Sequence, residues 1–142
     1  MEVKMPKNAS PITLAGVKEL VKKDECSWNM RDVIRIALSC TQDTKWDIDG
    51  KKFGGRLEVI NFLTTKWLKQ FDYRLKKELS SWINNRVCLE FEYEYRNEEM
   101  EWCKGAGYEQ WTLNECGLIS KRNIVTKTSP SPAFHTSMLQ PG

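Results

Sequence analysis

The sequence predicts an α+β fold in which three helices come first and a strongly curved antiparallel sheet follows. Up to Phe71 the apolar residues recur mainly at helical spacing, and beyond it they alternate with polar residues nearly to the end of the chain. Two glycines, Gly105 and Gly107, interrupt the longest alternating stretch and indicate a bend in that strand. Helices followed by strands in this order are typical of helices packed on one face of an antiparallel sheet.

The composition is that of one globular domain. The chain has 142 residues, of which 40% are apolar and 29% charged, and no apolar run approaches the ~20 residues needed to span a membrane. The net charge of +3 is spread among acidic residues, which argues against a nucleic-acid partner. We expect a flexible N-terminus over residues 1–10, a domain over 11–128 and a Pro- and Ser-containing tail over 129–142.

The N-terminus and the cysteines indicate a cytoplasmic protein. Residues 1–10 lack the apolar stretch of a secretory signal. The five cysteines are an odd number without a C-x-x-C pair, which favours reduced thiols buried as small apolar side chains.

Three helices are predicted before Phe71. Ser10 and Pro11 are typical of a helix start, and Asp32 is a candidate cap for a second, short helix that runs to Cys40 and is buried on most sides. The third helix is the most clearly amphipathic. Its predicted apolar stripe consists of Leu57, Ile60, Leu63 and Trp67, with Val59 and Phe62 beside it.

A short strand is predicted over residues 44–49, between the second and third helices. Trp46 and Asp47 alternate there, so Asp47 faces out if Trp46 faces the interior. The following Asp49-Gly50 and Gly54-Gly55 pairs bracket a predicted turn.

The first hairpin after Phe71 has a register that can be predicted, because a slip of one residue would turn its apolar face outward. A three-residue loop at Ile83-Asn84-Asn85 places Tyr73 beside Tyr95, and Lys76-Lys77 is expected at the surface. The same register gives two favourable cross-strand pairs and one unfavourable one. These are Arg74 with Glu94, Lys76 with Glu92, and Glu78 with Glu90.

The long strand from Met100 to Leu113 is predicted to contain a β-bulge at its glycines. One extra residue there would allow Trp102, Glu109 and Trp111 all to face the core, which an unbroken alternation forbids. A final strand is predicted over residues 118–126.

Four stretches of the sequence resemble an uncharacterised SnoaL-like family of the nuclear-transport-factor-2-like superfamily. They are Trp28-Asn29-Met30-Arg31-Asp32, Phe62-Leu63-Thr64-Thr65-Lys66-Trp67, Asp72-Tyr73-Arg74-Leu75-Lys76-Lys77-Glu78-Leu79 and Glu109-Gln110-Trp111. The resemblance covers roughly residues 12–126 and implies a cone-shaped fold around a pocket. The chain departs from the family where Asp47-Ile48-Asp49 replaces arginine-asparagine-arginine and where Arg96 replaces a histidine.

The candidate site is a carboxylate in an aromatic pocket. If Glu109 points inward, burial disfavours its charged form and makes it a candidate general acid or base, with Tyr93 as the partnering donor. The pocket is predicted to be lined by Trp46, Tyr73, Trp102 and Trp111. The alternative is that Glu109 pairs with an arginine such as Arg56 or Arg122.

Metal and cofactor sites are not expected. The single histidine, His135, lies in the tail, and no cysteine cluster could replace a histidine pair as metal ligands. No glycine-rich phosphate loop precedes a helix.

Two classes of function remain open from the sequence. The first is a pocket that binds a small apolar molecule, either without chemistry or as an isomerase, lyase or hydrolase that uses Glu109. The second is a non-catalytic homodimeric module that pairs through the outer face of the sheet, where Glu90, Glu92 and Glu94 would need neutralisation by Arg74 and Lys76.

Overall fold

The computed structural model describes the backbone of residues 13–133 and the side chains of residues 13–127. Within these residues there are three helices and six strands, which follow the predicted order except that a short additional strand precedes the third helix. The helices are α1 (Leu14–Asn29), α2 (Val33–Leu38) and α3 (Gly55–Lys69). The strands are β1 (Cys40–Ile48), β2 (Lys51–Gly54), β3 (Phe71–Ile83), β4 (Arg86–Arg96), β5 (Trp102–Leu113) and β6 (Ile119–Ala133). None of the described helices is long and apolar enough to cross a membrane.

The six strands form one curved, open sheet in the order β2-β1-β6-β5-β4-β3. Strands β3 to β6 are consecutive antiparallel neighbours, as predicted. Strand β1, however, runs parallel to β6, so the sheet is mixed and not purely antiparallel. No hairpin turn joins β1 to β6, and the chain between them is long enough to allow either direction.

The first two helices begin at capping side chains. The Gly16 amide donates to Thr13 Oγ1 at 3.0 Å, so Thr13 caps α1, whereas the predicted start at Ser10-Pro11 lies outside the described residues. The predicted cap of α2 is confirmed, because the Arg35 amide donates to Asp32 Oδ1 at 3.1 Å. Helix α2 is less buried than predicted, since only Ile36 and Ala37 of its residues are buried.

Helix α3 packs through most of its predicted stripe. Leu63 is buried, as is Val59 beside the stripe, and Trp67 packs against the core. The exception is Leu57, which is 72% exposed, so the stripe begins at Val59 and not at Leu57. The predicted turn after Asp49 is also more regular than expected, because residues 51–54 form β2 and pair with β1.

The register of the β3–β4 hairpin is confirmed at all three predicted charged pairs, including the unfavourable contact of Glu78 with Glu90. The loop is shorter than predicted, since Ile83 pairs with Arg86 and the register shifts between Leu79 and Ser81. A second shift lies between Phe71 and Arg74. Contrary to the prediction, Tyr73 is no ladder partner of Tyr95, and its ring stacks on Tyr93 at 6.3 Å between centroids.

The predicted bulge does not interrupt the pairing of β5 with β4. These two strands pair without a break from Arg96–Trp102 to Arg86–Thr112, so this prediction is wrong for that ladder. The register shifts instead lie between β5 and β6. Glu109 and Trp111 therefore face the core, and Trp102 lies on the opposite face, where Arg96 Cζ is 4.9 Å from its ring centroid. Strand β6 continues to Ala133, beyond the predicted end of the final strand.

The core lies between the concave face of the sheet and helices α1 and α3. It is rich in aromatic rings, with Trp28 stacked near Trp46 at 6.0 Å between centroids. The cysteines follow the prediction of burial only in part. Cys40 and Cys103 are buried, whereas Cys26 and Cys116 are exposed.

Candidate functional site

Four buried charged side chains meet at the centre of the core. Asp24 comes from α1, Lys77 from β3, Glu109 from β5 and Arg122 from β6, and each is at most 7% exposed. Two acidic and two basic groups give the cluster no net charge. Their mutual pairing makes their burial tolerable, because an unpaired charge in such a place would be costly.

The four groups form a closed set of ion pairs. Lys77 Nζ donates to Asp24 Oδ2 at 2.6 Å and to Glu109 Oε1 at 2.8 Å. Arg122 donates through Nη2 to Asp24 Oδ1 at 2.9 Å and through Nη1 to Glu109 Oε2. Each cation thus bridges the same two carboxylates.

Indole rings surround this cluster. Arg122 Cζ lies 4.6 Å from the centroid of Trp46 and 5.2 Å from that of Trp111, and Lys77 Nζ lies 5.0 Å from that of Trp28. Such contacts favour a cation over the face of a ring. The space that the sequence suggested between Trp46 and a carboxylate is therefore filled by the Arg122 guanidinium.

The cluster perturbs the pKa values of two of its members. Burial alone would raise the pKa of Asp24, but Arg122 and Lys77 outweigh it and lower that pKa to about 2. Burial alone would lower the pKa of Arg122, but Asp24 and Glu109 raise it above its ordinary value.

Glu109 has the arginine partner that the sequence left open as an alternative. Its Oε1 accepts from Lys77, and its Oε2 accepts from Arg122 and from Trp111 Nε1 at 2.6 Å. Both oxygens of this predicted catalytic carboxylate are therefore engaged by donors from the protein.

Sequence reasoning missed Asp24 and placed Lys77 at the surface. The signal for Lys77 was present, because it has the same parity as Tyr73 and Leu75 on β3 and so faces the core with them. Asp24 could not be recognised from α1 alone, since its partners lie on three strands that are distant in sequence.

A cavity lies beside the charged cluster, on the concave side of the sheet and under α3. Its volume is about 140 Å³. The lining residues are Trp28, Ile48, Asp49, Phe62, Lys66, Tyr73, Leu75, Lys77, Phe91, Tyr93, Glu109, Ile124 and Thr126. Of the predicted site residues, Tyr73, Tyr93 and Glu109 line this cavity, whereas Trp46 and Trp111 pack around the charged cluster and Trp102 is on the other face.

Two aromatic walls of the cavity depend on the glycines of β5. Gly107 is the ladder partner of Phe91, and Gly105 is that of Tyr93. A Cβ atom at Gly107 would lie 2.7 Å from Phe91 Cζ, and one at Gly105 would lie 2.6 Å from the Tyr93 hydroxyl oxygen. The glycines therefore leave room for the two rings to lie across β5.

Lys66 of α3 is the basic group of the cavity that stands apart from the charged cluster. Among the described residues its Nζ makes no ion pair and donates to Gln70 Oε1 at 2.9 Å. The same Nζ lies 4.9 Å from the ring centroid of Tyr73 and 5.9 Å from that of Tyr93. Burial lowers the pKa of Lys66 to about 8.

Tyr73 and Tyr93 complete the polar part of the cavity. Burial is the main cause that raises the pKa of Tyr93 to about 12 and the pKa of Tyr73 well above its ordinary value. Both groups therefore remain neutral phenols, which can donate a hydrogen bond, at ordinary pH.

Within the described part of the chain no group of three or more metal-ligating side chains converges. The cavity itself contributes amine, phenol and carboxylate groups but no imidazole or thiolate. These groups can donate and accept hydrogen bonds.

Comparison with known proteins places the chain in a family. A family model described as "Protein of unknown function (DUF1348)" matches residues 10–131. No curated protein matches the chain.

Solved structures show the same fold. The epoxide hydrolase/cyclase-like enzyme SalBIII, described for pyran ring formation in the polyether salinomycin, has a TM-score of 0.69 at 19% identity, over 77% of this chain and 88% of that chain. A type 2 hexachlorocyclohexane dehydrochlorinase (LinA) has a TM-score of 0.69 at 16% identity, over 90% and 93%. A nuclear-transport-factor-2-like protein of unknown function from Exiguobacterium sp. 255-15 has a TM-score of 0.66 at 10% identity, over 80% and 98%. The predicted cone fold is thereby confirmed.

Proposed function

This chain belongs to the DUF1348 family of proteins of unknown function, and we propose that its cavity binds a small, mainly apolar molecule about the size of one ring. The observation that carries the proposal is the cavity under α3, whose walls are built mainly from aromatic and aliphatic side chains. Concave, largely apolar spaces with a few polar groups are the usual form of small-molecule sites.

The size of the cavity limits the ligand. Its volume of about 140 Å³ is close to that of an engineered apolar cavity of about 150 Å³ that accepts benzene. A ligand with several fused rings would need the walls to move. One six-membered ring with a small substituent fits without such a movement.

In this proposal the charged cluster has a structural role beside the cavity and does not react with the ligand. Glu109 lines the cavity, but both of its oxygens accept hydrogen bonds from neighbouring side chains. To act as a base on a ligand, Glu109 would have to give up at least one of these bonds. We therefore assign Glu109 to holding β3, β5 and β6 together, and Tyr93 to contacting the ligand.

The structural neighbours are consistent with a small-molecule ligand. Those compared above include an epoxide hydrolase/cyclase-like enzyme and a dehydrochlorinase. Their identities to this chain are below 20%, so they support the choice of ligand class and carry no activity over to it.

A binding measurement with iodobenzene tests the proposal. We expect saturable, one-to-one binding to the wild-type protein by calorimetry. Leu75→Phe fills part of the cavity and should abolish this binding, while the matched variant Ile83→Phe, at a position 71% exposed, should leave it unchanged. Equal binding by the wild type and Leu75→Phe, or no binding of any one-ring compound, would contradict the proposal.

We also propose a homodimer through the outer face of the sheet. That face presents Lys76 opposite Glu92, and the acidic pair of Glu78 with Glu90, which a second copy could neutralise. Sedimentation should show a dimer at micromolar concentration that Lys76→Glu weakens. A monomeric wild type would overturn this part of the proposal.

A further inference from the structure

The polar groups of the cavity are unevenly divided between donors and acceptors. Lys66, Tyr73 and Tyr93 on its walls can donate hydrogen bonds to a ligand. Two further donors of the lining are already engaged, because Lys77 Nζ pairs with Asp24 and Glu109 and the Thr126 hydroxyl bonds to Asp49. Two other wall residues, Asp49 and Glu109, carry carboxylate acceptors. The hydrogen bonds that each group already makes within the protein determine which donors and acceptors are left for a ligand.

The donors of Lys66, Tyr73 and Tyr93 are largely unused. Lys66 Nζ makes one hydrogen bond, to Gln70, which leaves two of its three protons available. Neither the Tyr73 nor the Tyr93 hydroxyl bonds to another described residue. The three side chains are neighbours, because Lys66 Nζ lies 4.9 Å from the ring centroid of Tyr73 and 5.9 Å from that of Tyr93.

The acceptors are already occupied. Glu109 accepts from Lys77, Trp111 and Arg122. Asp49 Oδ1 accepts from the Thr126 amide at 2.7 Å, and its Oδ2 pairs with Thr126 Oγ1 at 2.8 Å. A ligand that itself offers only donors would find little to bind on these side chains.

From this division we propose that the ligand is a small ring-bearing carboxylic acid whose carboxylate accepts from Lys66, Tyr73 and Tyr93. The inference rests on the proposed function, because it names the chemical class of the molecule in the same cavity. The ring would lie against the apolar wall of Phe62, Phe91 and Ile124. The carboxylate would supply the counter-ion that Lys66 lacks among the described residues.

The charge of Lys66 makes this binding depend on pH. Its pKa of about 8 in the free protein means that the ammonium form, which attracts an anion, is lost as pH rises above that value. A bound carboxylate would raise the pKa, so affinity should fall by roughly tenfold per pH unit above pH 8. The other ionisable groups that line the cavity are Asp49 beyond the end of β1, Tyr73 and Lys77 on β3, Tyr93 on β4, and Glu109 on β5.

A matched pair of probes tests the inference. Benzoate and benzamide have nearly the same shape, but only benzoate carries a negative charge. Calorimetry with the wild type at pH 7 should show benzoate binding roughly tenfold or more tightly than benzamide. Lys66→Met should remove this preference, and Lys66→Arg, which keeps the charge, should restore a part of it.

Lys69→Met is the control, because Lys69 lies on the same helix and is exposed. It should keep the preference of the wild type for benzoate. Thermal melting of each variant verifies folding, and Lys66→Met should fold because it replaces a lysine without an ion pair by an apolar side chain of similar length.

Three outcomes would overturn the inference and leave the proposed function standing, and a fourth would remove both. Equal affinity for benzoate and benzamide, or an unchanged preference in Lys66→Met, would exclude the role of Lys66 and leave a cavity for neutral molecules. If iodobenzene binds and benzoate does not, carboxylic acids are excluded as ligands, but the cavity still binds apolar molecules. Failure of iodobenzene as well would remove the proposed function itself.

Discussion

The charges of Asp24, Lys77, Glu109 and Arg122 balance only as a set of four. Each cation lies between the same two carboxylates, so the loss of one member leaves an uncompensated charge among indole rings. Removing one partner of a buried ion pair is typically far more costly than replacing the whole pair by apolar groups. This property gives direct predictions for single side chains.

Glu109→Gln should destabilise the protein by about 3 kcal/mol, because it leaves two buried cations with one carboxylate. Urea unfolding followed by tryptophan fluorescence measures the change. Glu19→Gln, at an exposed position of α1, is the control and should change stability by less than about 0.5 kcal/mol.

The double variant Lys77→Met/Glu109→Gln separates charge from packing. It removes one charge of each sign, so it should recover part of the stability that Glu109→Gln loses. A stability of Glu109→Gln equal to that of the wild type would show that the cluster is not held by charge pairing.

Acid should unfold the protein partly through Asp24. Its pKa is lowered from 3.8 to about 2 in the folded protein, so the stability it contributes is present above pH 4 and is lost as pH falls towards 2. The contribution is about 2 kcal/mol. Unfolding free energies of the wild type and Asp24→Asn between pH 5 and 2 measure it.

Asp24→Asn should be less stable at pH 5 and should show a shallower decline with acid, because it has no carboxyl group to protonate at this position. Parallel pH curves for the two proteins would contradict the assignment.

At the scale of single elements, the sequence predicted the pairing of β3 with β4 but not its irregularities. Charge pairs such as Arg74 with Glu94 made the register predictable, because the register that pairs opposite charges also keeps the apolar side chains on one face. The shift between Leu79 and Ser81 has no comparable signal. It compensates for a turn one residue shorter than predicted, so two local errors cancelled.

The glycines of β5 were recognised as a special feature, and their physical role was misassigned. They were predicted to add a bulge to β5, whereas β4 and β5 pair without interruption. Their missing side chains instead make room for Phe91 and Tyr93. A glycine in a strand indicates either a bulge or a close approach, and the sequence does not distinguish the two.

Gly107→Ala should therefore destabilise the protein by about 2 kcal/mol, because its Cβ would lie 2.1 Å from the Val125 carbonyl oxygen as well as against Phe91. Gly54→Ala, with no atom within 4 Å of the added Cβ, is the control and should have a smaller effect, of about 1 kcal/mol or less, which comes from its N-cap position on α3. Thermal melting compares the two. Equal melting temperatures for both variants would show that β5 and β6 can separate without cost.

At the scale of the whole molecule, the order of helices and strands was enough to predict the α+β class, and the family resemblance implied the cone shape. The change in apolar period after Phe71 locates the boundary between the helical and β parts, and the structure places that residue at the start of β3. The parallel pairing of β1 with β6 was not predictable in the same way, because residues nearly 80 positions apart meet there. No local pattern specifies such a contact.

The cavity depends on the same long-range assembly. Its walls come from two helices and five strands or strand ends, and the sequence identified Tyr73, Tyr93 and Glu109 among them. Lys66 was not singled out, since a lysine near the end of an amphipathic helix resembles an exposed residue. It follows the buried Leu63 by three residues and Val59 by seven, so it lies on the buried side of the helix.

A crystal of the protein soaked with iodobenzene would show whether the cavity accepts a ring, because iodine can be located by its anomalous scattering. We expect one strong iodine peak inside the cavity between Phe62, Phe91 and Ile124, and no such peak in crystals of Leu75→Phe. Iodine found only on the surface, with the wild-type cavity closed by its own side chains, would contradict this expectation.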